Sequence, residues 1–219
     1  MVSLGRTFSR AIGAIALLEA AVIAAPEALA FPYAARVGGV AVRSEAPIDV
    51  TVLGPILTRA DALVGASRLG DPVPQRRLFL TRGGWRWHLL SLTSHGAFAL
   101  TRPLLDTLAV NRNDPARDRV WNGRTVGGQR TLAGTIAHET THIAVERHYG
   151  VLTAGMAPAW KSEGFADYVA RESSLSRMDA ETLRWRGEAP PALACYFARR
   201  RVAAILAGGG GPELLFRRS

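Results

Sequence analysis

The chain has 219 residues and a formal net charge of +9, carried almost wholly by arginine because Lys161 is its single lysine. That length suits one domain with a substantial core and requires no second one. A lone cysteine, Cys195, excludes an intramolecular disulfide framework. The arginine runs, such as Arg199 to Arg201, have neither interleaved aromatics nor a recognition motif, so no nucleic-acid partner is expected; they read as a solvated basic surface with some attraction for anionic lipid or polyanions.

From the first residue, Arg6 and Arg10 precede an apolar run from Ala11 to Ala25, and Ala28-Leu29-Ala30 follows with the small-residue spacing of a cleavage site. Residues 1–30 therefore read as a signal peptide or, if uncleaved, an N-terminal membrane anchor. Either places the rest of the chain outside the cytoplasm. Residues 31–219 are then expected to form one domain. Val37 to Val42 and Ile48 to Val52 look like strands, and Ile56 to Leu69 has helical spacing that ends before Gly70-Asp71-Pro72. Arg77 to Thr81 and Trp85 to Leu92 read as a hairpin about the turn Arg82-Gly83-Gly84. Ala97 to Thr101 and Thr107 to Asn111 are further strand candidates, and the polar stretch Asn111 to Gly128 reads as a loop. Arg130 to Tyr149 is expected to be a long helix, and Gly208 to Gly211 a turn before a short terminal one. The class expected is α+β, with a small mixed or antiparallel sheet packed on the long helix and on a following one.

The long helix carries His138-Glu139-Thr140-Thr141-His142. Residues four apart share a helix face, about 5–6 Å apart at Cβ, so both imidazoles can address one point. Zinc takes nitrogen and oxygen ligands at about 2.0–2.2 Å, and a catalytic zinc site uses three protein ligands with a fourth position open. Glu163, within Trp160-Lys161-Ser162-Glu163-Gly164-Phe165-Ala166-Asp167, is the expected third ligand of one zinc ion. Glu139 lies about a quarter-turn from the histidine face, near the metal without facing it, as a general base must. Asp167 follows Glu163 by one turn and is expected to orient His138 by accepting its second ring N–H. His148 competes for the third position, since it stands six residues after His142 as in metzincins. Those enzymes break the helix at a glycine where this chain has Val145, and a continuous helix carries His148 about 9 Å further along the axis at 1.5 Å per residue. His148 is therefore expected at the helix end, with Gly150 as the stop. His88 and His95 lack partner spacing, and Cys195 and Tyr168 read as core residues.

The two segments together, over roughly Thr131 to Ala170, resemble the gluzincin zinc peptidases, the clan of thermolysin-like and aminopeptidase-like enzymes. There the HExxH helix is followed by a second helix bearing W-x-x-E-G-x-A, as Trp160 to Ala166 reads here. The resemblance implies zinc-dependent hydrolysis of a peptide or protein substrate by metal-activated water, with Glu139 as base. It implies a carboxylate at Asp167, and an edge strand, Thr107 to Asn111 or Ala97 to Thr101, that pairs with extended substrate. It further implies an oxyanion-stabilising residue beyond the third ligand, for which Tyr196 is the candidate, with Tyr149 and Arg199 behind it. The G-x-M-E-N motif of the aminopeptidase branch is absent, and the large C-terminal helical domain is reduced to Ala192 to Phe216. An open cleft and a partly unfolded substrate follow. A membrane-associated binding or assembly protein with a structural or inactive zinc site would keep the same ligands but need no Glu139.

Overall fold

The computed structural model describes residues 24–69, 73, 75–102 and 105–216. The apolar run before residue 24 and the whole Gly70 to Pro72 turn expected above lie outside them. No helix among the described residues is long and apolar enough to cross a membrane. Pro26–Leu29 forms a 3₁₀ turn that leads into the body. There Leu29 and Phe31 are buried with Phe79 and Trp87, and Arg86 donates from Nε to the Leu29 carbonyl at 2.8 Å and from Nη2 to that of Ala30 at 3.1 Å.

Two glycines start the sheet. Gly38 and Gly39 have φ of +55° and +85°, which fits the two-residue turns that match the twist of a hairpin. They join β1 (Tyr33–Val37) to β2 (Val40–Ser44), with Val37 opposite Val40. The single strand expected over Val37 to Val42 is therefore a hairpin bend. The strand expected over Ile48 to Val52 is instead the start of helix α1 (Val50–Gly65). Its β-branched run lost to a cap, because Asp49 Oδ1 accepts from Thr51 N at 2.9 Å and from Val52 N at 3.3 Å.

β3 (Arg77–Leu80) is followed by a helix, not by a hairpin partner: α2 spans Trp85–Ser91. Its buried residues are Trp87, Leu90 and Ser91, while Trp85 and Leu89 face solvent, a helical period and not an alternating one. β4 (Ala99–Arg102) and β5 (Thr107–Val110) complete a five-stranded mixed sheet of order β1-β2-β3-β5-β4. β2, β3 and β5 run parallel, and β1 and β4 close the edges antiparallel. The expected loop Asn111 to Gly128 contains part of a second sheet, β6 (Asn113–Asp114), β7 (Arg119–Trp121) and β8 (Gln129–Arg130). The class is α+β, as expected.

Alternation along the central strands builds the layers. Leu78, Leu80, Leu108 and Val110 enter the main core with Leu53, Ile56 and Leu57 of α1, whereas Phe79 and Ala109 turn to the other face, against Trp87 and Leu90 of α2. The main core also receives the long helix α3 (Leu132–Tyr149), whose residues Leu132 to Thr141 are buried without a break. A helix buried on all sides must satisfy its hydroxyls internally. Thr135, Thr140 and Thr141 do so by donating to the carbonyls of Thr131, Ile136 and Ala137 at 2.7–2.8 Å.

After α3 come α4 (Val151–Met156), α5 (Ala159–Val169), α6 (Arg177–Trp185), α7 (Pro191–Ala207) and α8 (Glu213–Phe216). α7 lies along α5, and the two helices are in close contact at Gly164. A Cβ there would stand 2.6 Å from the Ala198 carbonyl oxygen and 3.0 Å from Val202 Cγ2. The glycine beside the third expected ligand is thus a packing requirement.

Candidate metal centre

α3 is held from its first turn by carboxylates. Glu172 accepts from Thr131 N at 2.8 Å and from Thr131 Oγ1 at 2.7 Å, and Asp118 Oδ1 accepts from Ala133 N at 2.9 Å. Both answer orphan N–H groups and the positive end of the helix dipole. From that anchored helix His138 and His142 project to one point, and α5 brings Glu163 to it. The two Nε2 atoms are 3.2 Å apart. Glu163 turns Oε2 to His138 Nε2 at 3.4 Å and Oε1 to His142 Nε2 at 3.6 Å. A tetrahedral ion with bonds of about 2.0–2.1 Å needs ligand atoms about 3.3 Å apart, so this triangle has the right size. The cluster of His138, His142 and Glu163 can hold a metal ion.

Asp167, one turn after Glu163, reaches both His138 and Arg130. Its Oδ1 lies 2.7 Å from His138 Nδ1, so that a proton kept on Nδ1 would leave Nε2 to face the triangle. The same oxygen receives Arg130 Nη2 at 2.7 Å, with side-chain exposures of 8% and 2% that make this a buried ion pair. Arg130, on β8, was not singled out from the sequence. His142 Nδ1 lies 3.3 Å from Ser162 Oγ.

Glu139 stands beside the triangle without joining it. Thr101, on edge strand β4, donates to Glu139 Oε2 at 2.6 Å and lies 3.0 Å from the Glu139 carbonyl oxygen. Of the two strands proposed to line the cleft, β4 does so, while β5 is interior to the sheet. Thr101 ends the stretch expected there, but its contact with Glu139 spans 38 residues and carried no sequence signal.

The electrostatics follow from burial and pairing. Burial opposes protonation of His138, but hydrogen bonds to Asp167 and Glu163 outweigh it and raise its pKa to about 10. Burial and then the His138 charge lower that of His142. Against burial, the hydrogen bond and charge of His138 hold Glu163 down to about 2. Asp167 is lowered too, with His138 and Arg130 overcoming burial. The two lowered carboxylates thus favour positive charge at His138, and an ion bound at the triangle would take the place of the proton there.

Two recesses meet at the triangle and share Ala97, Ala99, His138, Glu139 and Glu163. One is a pocket of about 190 Å³ with Arg124, Arg130 and Cys195 in its wall; the other is an open trough of about 500 Å³ along β4, α3 and α4. A larger hollow of about 800 Å³, lined by Asp49, Arg82, Asp114 and Trp121, touches none of the ligands.

Other expected residues stand elsewhere. Tyr196 does not line either recess; it is buried with Leu175, Ala180, Leu183 and Leu193, because α6 covers that face of α7. Arg199 faces away from the cleft, its Nε donating to the Asp167 carbonyl at 3.2 Å. His148 rides the last turn of an unbroken α3, exposed, its ring 4.6 Å from that of Tyr149, so it does not supply the third ligand. His88 and His95 contact each other, with His95 Nδ1 2.8 Å from Ser91 Oγ. Cys195 is half-buried in the narrow pocket, and burial raises its thiol to about 11. Tyr168 is not core but 39% exposed. Compared with protein-family models, with curated proteins and with solved structures, the chain shows no match.

Proposed function

We propose that this protein is a zinc-dependent peptidase of the gluzincin kind, acting on extended or partly unfolded polypeptide. The observation that carries the reading is a tetrahedron-sized His-His-Glu triangle beside a carboxylate, Glu139, that is held by a separate hydrogen bond and serves as no ligand. A site with a purely structural role has no use for that carboxylate and closes its fourth position with protein, whereas this one borders two recesses. Borderline-soft nitrogen ligands with one carboxylate suit zinc better than magnesium or calcium.

His138, His142 and Glu163 would hold the ion, which supplies a Lewis acid for the scissile carbonyl and brings the pKa of water from about 15.7 toward about 7. Glu139 takes the proton of the attacking water and returns it to the leaving amine, a role worth about 10²–10⁴ in rate. Thr101 orients Glu139 for both transfers. Asp167, anchored by Arg130, keeps the proton of His138 on Nδ1. β4, the last strand of the sheet and a wall of the trough, would offer backbone groups to an extended chain, with the narrow pocket and the trough receiving residues on either side. Residues 1–30, read as a leader or anchor, would put this activity outside the cytoplasm.

The test is zinc stoichiometry by elemental analysis together with hydrolysis of an unfolded protein such as reduced casein. Glu139→Gln is expected to bind one zinc per chain and to lose at least a hundredfold in turnover, and Glu163→Ala to lose the metal. An active Glu139→Gln protein refutes the mechanism; a wild-type protein that binds zinc and cleaves nothing favours the binding or assembly role instead.

A further inference from the structure

We propose that a second site, behind the metal centre, binds a phosphate-bearing anion. It is a hollow of about 280 Å³ between the end of α1 and the paired helices α5 and α7, lined by Ser67, Tyr168, Arg171, Arg199 and Arg200 with an apolar floor from Leu63. Its volume is near the lower end of small-molecule pockets, about 300–1,000 Å³. Three guanidinium groups border it and, among the described residues, no acidic side chain does. None of the three forms an ion pair among the described residues. Elsewhere this chain pairs arginine with carboxylate repeatedly, as at Arg76 with Asp61 and Arg86 with Glu45.

Two further observations favour a ligand over a bare basic surface. Ser67 Oγ is buried with no hydrogen-bond partner among the described residues, and a buried orphan hydroxyl calls for one. Arg171 owes its φ of +53° to the turn that ends α5, where its N–H donates to the Tyr168 carbonyl at 3.1 Å and that of Glu172 to the Asp167 carbonyl at 3.3 Å, and that turn sets its side chain at the rim of the pocket. The Arg199-Arg200-Arg201 run is divided: Arg201 lies on the Trp160 ring, 3.6 Å from its centroid, while Arg199 and Arg200 border the pocket. Arg199 is braced there through its Nε, which leaves its Nη groups for a ligand. Guanidinium forks match phosphate oxygens in pairs, and such charge-assisted bonds are about twice as strong as neutral ones. Three cations with a hydroxyl suit a phosphate monoester better than a singly charged carboxylate.

This site does not depend on the peptidase reading, and its test uses the full-length protein stripped of metal with EDTA, so that phosphate cannot act through the metal centre. Inorganic phosphate and glycerol 3-phosphate are titrated by calorimetry and thermal shift, against chloride and acetate at matched ionic strength. Saturable binding of phosphate but not acetate is expected, weakened at least tenfold in the Arg171→Gly/Arg200→Gln double variant. Glycine suits the backbone at position 171, so that variant should fold; Ser67→Ala should weaken binding about threefold, and Arg36→Glu, on β1, should leave it unchanged. Equal stabilisation by all the salts, or a double variant that binds phosphate like the wild type, overturns the proposal, and the arginines then serve only the negative ends of α1 and α5. Flotation with phosphatidylglycerol vesicles identifies the source: loss of flotation in the double variant assigns a lipid headgroup, and flotation unaffected by it assigns a soluble phosphate.

Discussion

Asp167→Asn tests the centre most sharply, because one buried oxygen serves two cations. Asp167 Oδ1 is 2.7 Å from both His138 Nδ1 and Arg130 Nη2. The amide keeps the shape and removes the charge, so Arg130, 8% exposed, is left buried without its counterion. Breaking a buried pair from one side costs about 3–5 kcal/mol, a large share of the roughly 5–15 kcal/mol typical of a domain. Losing the group that orients a metal-binding histidine typically weakens metal affinity 10–100-fold, or about 1.4–2.7 kcal/mol. Urea denaturation in EDTA measures the first effect, and zinc competition against a chromophoric chelator measures the second. Arg130→Met added to Asp167→Asn removes the stranded charge and should recover part of the stability but none of the affinity. An Asp167→Asn protein with wild-type midpoint and affinity would refute the argument, as would a double variant no more stable than the single.

Metal binding should release about one proton per ion at pH 7–9, with affinity rising about tenfold per pH unit in that range, because His138 with a pKa near 10 must lose its extra proton while His142 is already neutral; calorimetry in buffers of different ionisation enthalpy counts it, and zero release at pH 8 contradicts the assignment. In the metal-free protein, the raised His138 contributes stability that is complete below 6.5 and lost as pH climbs through about 10. Glu163 contributes stability above 4.5 that is lost as pH falls through about 2, so urea midpoints followed across pH should fall at both ends. Gly164→Ala should cost about 1–3 kcal/mol by forcing α5 from α7 and should weaken zinc binding through Glu163, both read from urea and chelator titrations; an unaltered protein would mean that the helices separate freely. Thr101→Val should leave zinc affinity unchanged and lower turnover about tenfold, the worth of one hydrogen bond of about 1.4 kcal/mol to a charged group, and an undiminished rate would show that Glu139 is positioned by other groups.

What could be read along the chain was whatever repeats at helical spacing. His138 with His142, and Glu163 with Asp167, are each one turn apart, so a helix alone puts each pair on one face, and Gly150 marks where the first helix stops. The α+β class was legible because the short apolar runs of β3 and β5 stand beside those helical repeats. Local pattern failed where capping or turn chemistry opposed side-chain propensity: Asp49 turned a β-branched run into α1, and aromatic Trp85 to Leu92 became α2 because its buried positions recur at three and four residues. Tyr196 shows the other limit. Its position after the third ligand fitted a catalytic role, but α6 folds over that face of α7 and buries it. Thr101 and Arg130 reach Glu139 and Asp167 across 38 and 37 residues, and no periodicity encodes a contact made by a sheet edge meeting a helix. The cluster that can hold a metal ion was thus written in sequence spacing, whereas the groups around it were decided by which strand lay at the edge and which helix covered which, since those choices belong to the packing of the whole core.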